Sequence, residues 1–217
     1  MGDGEMVVMN STTRQLVQMQ YGEDSFDGTC RYEEALAYYE EDLSISKEAL
    51  GDRHPDVATT LNNIAGVYDD QGRYEEALAY YEEALSIRKE ALGDRHPDVA
   101  TTLNNIAGVY KAQGRYEEAL AYYEEDLSIS KEALGDWHPS VATTLNNIAT
   151  VYAHKGRYEE ALAYYEEALS IRKEALGDRH PHVADTLNNM RLARERMMHA
   201  STKRKSPLRK LACLWGK

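Results

Sequence analysis

Histidine, asparagine and paired glutamate return along the chain at one fixed step, and each could do a different chemistry. His54, His96, His138 and His180 stand 42 residues apart, and His180 with His182 is the closest histidine pair. Imidazoles bind metals, but a site needs further ligands, and these histidines lack carboxylate and thiol partners at ligand spacing. Each is followed by proline, which suits the first position of a helix because its missing N–H would have no partner there. The histidines are therefore expected to start helices, and no metal or cofactor is expected. No glycine-rich phosphate loop, nucleophile elbow or paired acid and base is present, so neither catalysis nor a small-molecule substrate is indicated. Doublets such as Glu75-Glu76 and Glu82-Glu83 belong on solvated helix faces. What remains is recognition. Asn62, Asn63, Asn104, Asn105, Asn146, Asn147, Asn188 and Asn189 each carry an amide donor and a carbonyl acceptor, a set that can match the backbone of an extended peptide.

The elements that position these side chains follow from the repeat. Residues 51–92, 93–134 and 135–176 are near-copies: the second differs from the first at four positions and the third at six. Fixed self-similarity of this length marks a stacked array whose units bury their apolar faces on one another. Within one unit, His54-Pro55 opens a first helix and Gly72 closes it. Arg73 to Gly93 then supplies a second helix rich in alanine, leucine and glutamate. Leu61, Ile64, Ala65 and Tyr68 make a one-sided stripe on the first helix. Tyr74, Ala77, Leu78, Tyr80, Tyr81, Ala84, Leu85 and Ile87 cover about half the second, which needs cover from two sides. An all-α, right-handed superhelical solenoid of antiparallel helix pairs is predicted, with first helices lining its concave side.

The groove-lining positions predicted from helical angle are Thr59, Asn62, Asn63, Gly66, Asp69 and Asp70; Thr101, Asn104, Asn105 and Lys111; Thr143, Asn146, Asn147, Thr150 and His154; and Asn188. The alternative task for the asparagines is hydrogen bonding between neighbouring helices. Copies differ at Gly66/Gly108/Thr150, Asp69/Lys111/Ala153 and Asp70/Ala112/His154, so the groove is expected to run from acidic through basic to mixed. Second helices also alternate: Asp42 with Ser46, Ala84 with Arg88, Asp126 with Ser130, Ala168 with Arg172. A lone carboxylate in the apolar arc would be costly, which predicts that Asp126 pairs with Arg88 or Arg172. Duplication of an 84-residue block accounts for the alternation equally well.

The unit resembles a tetratricopeptide repeat: Leu61, Ile64, Ala65, Tyr68, Ala77 and Tyr81 fill that pattern's Trp, Leu, Gly, Tyr, Ala and Phe slots, and Lys89 stands at its proline. With a 42-residue period and the stretches HPDVATTLNNIAGVY and GRYEEALAYYEEAL, it is more specifically similar to kinesin light chain repeats, over residues 31 to about 193. The resemblance implies a non-enzymatic scaffold that binds a partner protein or peptide in its groove. Motor cargo adaptor is an alternative, made secondary by the lack of sustained heptads in residues 1–30, and self-association as a purely architectural repeat protein is another. In that family, basic groove side chains take acidic cargo peptides; Lys111 is the one obvious counterpart here.

The flanks are expected to differ. Residues 1–30 match a first helix poorly, with STTRQLVQMQY as a short substitute; 31–50 form a half repeat; 177–199 hold a capping helix; 200–217 form a basic, disordered tail. Across 217 residues the net charge is −12, but residues 194–217 carry +7, leaving −19 on residues 1–193. An acidic body repels nucleic acid, so only the tail would touch it, or a membrane surface through Leu208, Leu211, Leu214 and Trp215. No spanning segment or secretory signal is evident and Cys30 and Cys213 lie far apart, so a cytoplasmic location is expected, or a nuclear one through KRKSPLRK.

Overall fold

The computed structural model describes residues 28–212, with side chains from 31 to 201; the expected helix at STTRQLVQMQY and the end of the basic tail lie outside that range. Eight α-helices occupy it: α1 Gly28–Leu50, α2 Pro55–Asp70, α3 Tyr74–Leu92, α4 Pro97–Ala112, α5 Tyr116–Leu134, α6 Pro139–His154, α7 Tyr158–Leu176 and α8 Pro181–Ala212. No strand occurs among the described residues, and none of these helices is long and apolar enough to cross a membrane. The chain divides into two compact units after Gln113. In the first, α1 packs on α2, α2 on α3 and α3 on α4; in the second, α5 packs on α6, α6 on α7 and α7 on α8. Within each unit, connections of three or four residues fold each helix back antiparallel to the one before it.

The start signal works as the dipeptide suggests. His54 is extended (φ −78°, ψ 143°), and its Nδ1 accepts the Asp56 amide N–H at 3.2 Å, with Pro55 in the first helical turn. His96, His138 and His180 take the same bond from Asp98, Ser140 and His182. The stop is equally local. Gly72 (φ +71°) lets its own N–H reach the Asp69 carbonyl and the Arg73 N–H reach the Tyr68 carbonyl, both at 2.8 Å, satisfying two carbonyls the helix end would strand. Arg73 then lays its guanidinium 4.4 Å over the Tyr68 ring, Tyr68 stacks on Tyr80 at 5.4 Å, and the same arginine bonds Glu76. Arg157, Tyr152 and Tyr164 repeat this corner in the second unit.

Between paired helices the core is small and repetitive. Val57, Ala58 and Leu61 of α2 meet Ala84 and Ile87 of α3, with Leu43 of α1 closing the cluster. Val141, Ala142 and Leu145 meet Ala168 and Ile171 with Leu127 in the second unit. A fully buried leucine or isoleucine contributes about 1.5–3 kcal/mol, so each pairing rests on a few such residues. The final helix departs from expectation: α8 does not end near residue 199 but runs to Ala212, through much of the stretch assigned to the tail. Between Pro181 and Ala212 there is no glycine to stop it.

Candidate functional site

The first helices of neighbouring repeats lie side by side within each unit, α2 beside α4 and α6 beside α8, and a rung of asparagines joins them. Asn105 Nδ2 donates to Asn62 Oδ1 at 3.2 Å, and Asn189 Nδ2 donates to Asn146 Oδ1 at 3.5 Å. The second asparagine of a pair therefore links helices, and the first accepts that link. With its Oδ1 engaged, Asn62 or Asn146 presents its Nδ2 as the group to offer a ligand. Asn63, Asn104 and Asn147 are half-buried in the same rows and Asn188 is exposed on α8, where its Oδ1 takes an N–H of Arg191 at 2.9 Å. Thr59, Thr101 and Thr143 are exposed one turn earlier, each hydroxyl donating to the carbonyl of Pro55, Pro97 or Pro139.

The C-terminal half of the face is where the copies diverge. Asp69 is half-buried; burial first, then the neighbouring Asp70, holds its carboxyl above the usual carboxylate range, and the Lys111 ammonium on α4 works in the opposite direction. Burial also raises Asp70. Both carboxylates, after burial, push the Tyr81 hydroxyl far above its ordinary value. Asp69, Asp70, Lys111 and Tyr81 thus form one electrostatic group in the first unit, with Gly66 above the tyrosine: a Cβ there would meet Tyr81 Oη at 3.7 Å. In the second unit, His154 is exposed and stacks on Tyr116 at 5.8 Å, and Lys155 Nζ bonds Glu117 Oε1 at 2.9 Å.

Thr150 is half-buried and bonded within its own repeat. Its hydroxyl donates to the Asn146 carbonyl at 2.9 Å and lies 3.0 Å from Tyr165 Oη, so it ties α6 to the second helix of its own repeat. Helical angle sets a side chain beside the buried stripe without saying which neighbour will take it. The tyrosine beneath this position, Tyr81 or Tyr165, is buried as the sequence reading expected, and its hydroxyl reaches the position at which Gly66 is exchanged for Thr150.

Hydroxyls are among the partners of the alternating second-helix residues. Thr144 Oγ1 donates to Asp126 Oδ2 at 2.6 Å and Ser130 Oγ to Asp126 Oδ1 at 2.8 Å, and Thr60 Oγ1 donates to Asp42 Oδ2 at 2.6 Å. Arg88 Nη1 donates to the Asp98 carbonyl and to Thr102 Oγ1 at 2.7 Å; Arg172 Nη1 does the same with the His182 carbonyl and Thr186 Oγ1. All four threonines occupy one repeat position on the next first helix. A hydroxyl both donates and accepts, so the same residue serves an aspartate at one joint and an arginine at the next.

His180 and His182 sit with rings 5.0 Å apart, and among the described residues no group of three or more His, Cys, Asp or Glu side chains is placed to hold a metal.

Family models described as tetratricopeptide repeat match residues 16–90, 61–132 and 141–182. No curated protein matches the chain. Among solved structures, BtubC (BKLC) from P. vanneervenii is similar with a TM-score of 0.68 and 27% identity, over 86% of this chain and 76% of that one. A Podosopora anserina protein with nearly identical TPR-like repeats, described as a putative kinesin light chain, is similar with a TM-score of 0.65 and 22% identity, over 82% of this chain and 84% of its own; a substituted form of that protein is similar over 85% and 87% at the same score and identity. Paired helices, a matching family pattern over more than half the sequence and these structural likenesses agree: the chain belongs to the tetratricopeptide repeat family.

Proposed function

We propose that this protein is a non-enzymatic scaffold that binds an extended segment of a partner protein along the faces of its first helices. The observation that carries this reading is the asparagine rung: in each linked pair one amide donates its Nδ2 between helices, and the other accepts through Oδ1 and keeps an Nδ2 that the link does not use. Such donors match the carbonyls of an extended backbone and leave side-chain choice to neighbouring groups. In the first unit that choice favours a basic side chain. Asp69 and Asp70 are half-buried or crowded carboxylates held above their usual range, and a partner cation would relieve the cost of keeping both ionised. This is the reverse of the acidic cargo implied by family resemblance. The family is typically non-enzymatic, and a general role in protein interaction fits its fold. At 22% identity the kinesin light chain likeness shows the fold alone, and no motor role is proposed.

The test is selection from a phage-displayed library of random peptides, followed by calorimetry on those enriched. Enrichment of extended sequences bearing lysine or arginine is expected. Asn62→Ala should weaken peptides held by the first unit, and Asn146→Ala those held by the second, by about fivefold, the loss of one hydrogen bond of roughly 0.5–1.5 kcal/mol. Unchanged affinity in both variants would remove the asparagines from the binding role.

A further inference from the structure

One side chain of the third repeat departs from the pattern in kind. Residues 135–176 differ from residues 51–92 at six positions, and only one of these exchanges a charged side chain for a large apolar one. Trp137 stands where the first repeat has Arg53, and it is 57% exposed. Tryptophan is ordinarily among the more buried residues, and its ring is the best of the aromatics at holding a cation. An indole left mostly in water, in a copy otherwise so faithful, therefore raises the question of what it meets.

The first repeat shows what this position faces. Arg53 Nε donates to Glu90 Oε2 at 2.7 Å, and its Nη2 donates to the same carboxylate and to Ser86 Oγ at 3.0 Å, tying the turn before α2 to α3. The same scaffold returns in the second unit. Gly51 and Gly135 both have φ +87°, and His54 and His138 are extended alike, each donating its N–H to that glycine's carbonyl at 3.2 Å. The cores that set α2 on α3 and α6 on α7 consist of the same five residue types. Ser170 and Glu174 of α7 occupy the positions of Ser86 and Glu90. Both are exposed, and among the described residues no side-chain hydrogen bond or ion pair reaches either of them. Neither lysine at the nearby helix ends is spare: Lys131 lies 3.9 and 3.2 Å from Asp136 and Glu167, and Lys173 lies 3.3 Å from Asp178. The exchange of arginine for tryptophan has thus removed a cation, kept its two acceptors and set an aromatic face beside them.

We propose that Trp137, Ser170 and Glu174 form a binding site for an arginine side chain of a partner protein. The incoming guanidinium lies on the indole and donates to the Glu174 carboxylate and the Ser170 hydroxyl, as Arg53 does within the chain to Glu90 and Ser86. Arginine suits the site better than lysine, because one planar fork meets carboxylate, hydroxyl and ring together, whereas an ammonium is a compact, strongly hydrated point charge. The negative charge of the body favours the approach of such a partner. This inference stands apart from the peptide-binding reading: Trp137 lies on the turn before a first helix, no asparagine of the rows takes part, and the failure of one leaves the other as it was.

Saturation-transfer NMR on the full chain tests it, with acetyl-Gly-Arg-Gly amide as the probe. Asp69→Asn with Asp70→Asn serves as the background, so that the carboxylates of the first unit take no share of the cation. Transfer should fall chiefly on the arginine δ protons, which lie against the indole. Trp137→Arg refills the place in the manner of the first repeat and should abolish the transfer, while Trp137→Tyr, which restores a ring, should keep part of it. Glu174→Gln should weaken binding about threefold, as the loss of an exposed ion pair does. The peptide with citrulline, which has the shape without the charge, should bind more weakly by at least as much, and so should the peptide with lysine. Transfer that persists in Trp137→Arg, or that the citrulline or lysine peptide matches, would overturn the proposal, as would no transfer at all. A chain that pairs with itself in sedimentation equilibrium and loses that pairing in Trp137→Arg would assign the indole to a second copy, and would overturn it too.

Discussion

Replacing threonine by valine at four equivalent positions isolates what one hydroxyl is worth, because shape and helix context are the same each time and only the partner changes. Thr144→Val removes a 2.6 Å bond to Asp126, a carboxylate 3% exposed, which keeps its bond from Ser130. A hydrogen bond to a buried charge contributes about 1.5–3 kcal/mol, and no water is at hand to replace it, so a loss of about 2–3 kcal/mol is expected. Thr102→Val and Thr186→Val strip one acceptor from Arg88 and Arg172, each of which retains a carbonyl at 3.0 Å; about 1–2 kcal/mol is expected. Thr60→Val faces Asp42, which is exposed and can turn to solvent, and should lose under about 1 kcal/mol. With a urea slope near 2 kcal/mol/M, the Thr144 variant shifts the midpoint by roughly 1 M. Circular dichroism in urea gives the midpoints. Hydrogen exchange then assigns each loss to its own joint, which matters because repeat proteins need not unfold in one step. Equal losses at Thr60 and Thr144 would refute the reasoning, since they would place the effect in the helix and not in the buried carboxylate.

Ile87→Ala should cost about 3 kcal/mol in a thermal or urea melt and Ile45→Ala under about 1 kcal/mol, since only the first opens a cavity. Gly66→Ala should stabilise the protein by about 0.5–1 kcal/mol, because a mid-helix glycine is replaced where the new Cβ meets Tyr81 Oη at an ordinary 3.7 Å. Burial and Asp70 hold the Asp69 carboxyl above 3.8, so the folded protein keeps this proton better than the unfolded chain. Stability therefore declines as pH rises from 3.8 through the folded value, and Asp69→Asn should flatten that decline in midpoints measured across the window.

The helix boundaries within the repeats were legible in the sequence because their causes are local: a histidine and a proline set the start of each first helix, and Gly72 permits a backbone turn that other residues resist. What proved harder needed knowledge of neighbours. Asp126 and Arg88 called for partners, and Thr144 and Thr102 are among them; the constancy of that threonine through four copies was visible but had no meaning until packing brought α6 onto α5 and α4 onto α3. Thr150 followed the same course, its angle known and its neighbour Tyr165 not. The asparagine rows were found correctly as rows, but which member of a pair links helices depends on the offset between adjacent first helices, and no single-helix projection contains that offset.

The threonine at each joint answers either sign of charge, so a first helix places no demand on which kind of second helix comes before it. Unequal recombination could then remove or add one forty-two-residue block, setting two aspartate or two arginine joints in succession, without stranding a charge at either. Array length in such a protein is free to evolve in single steps, even though its present pattern was written in pairs.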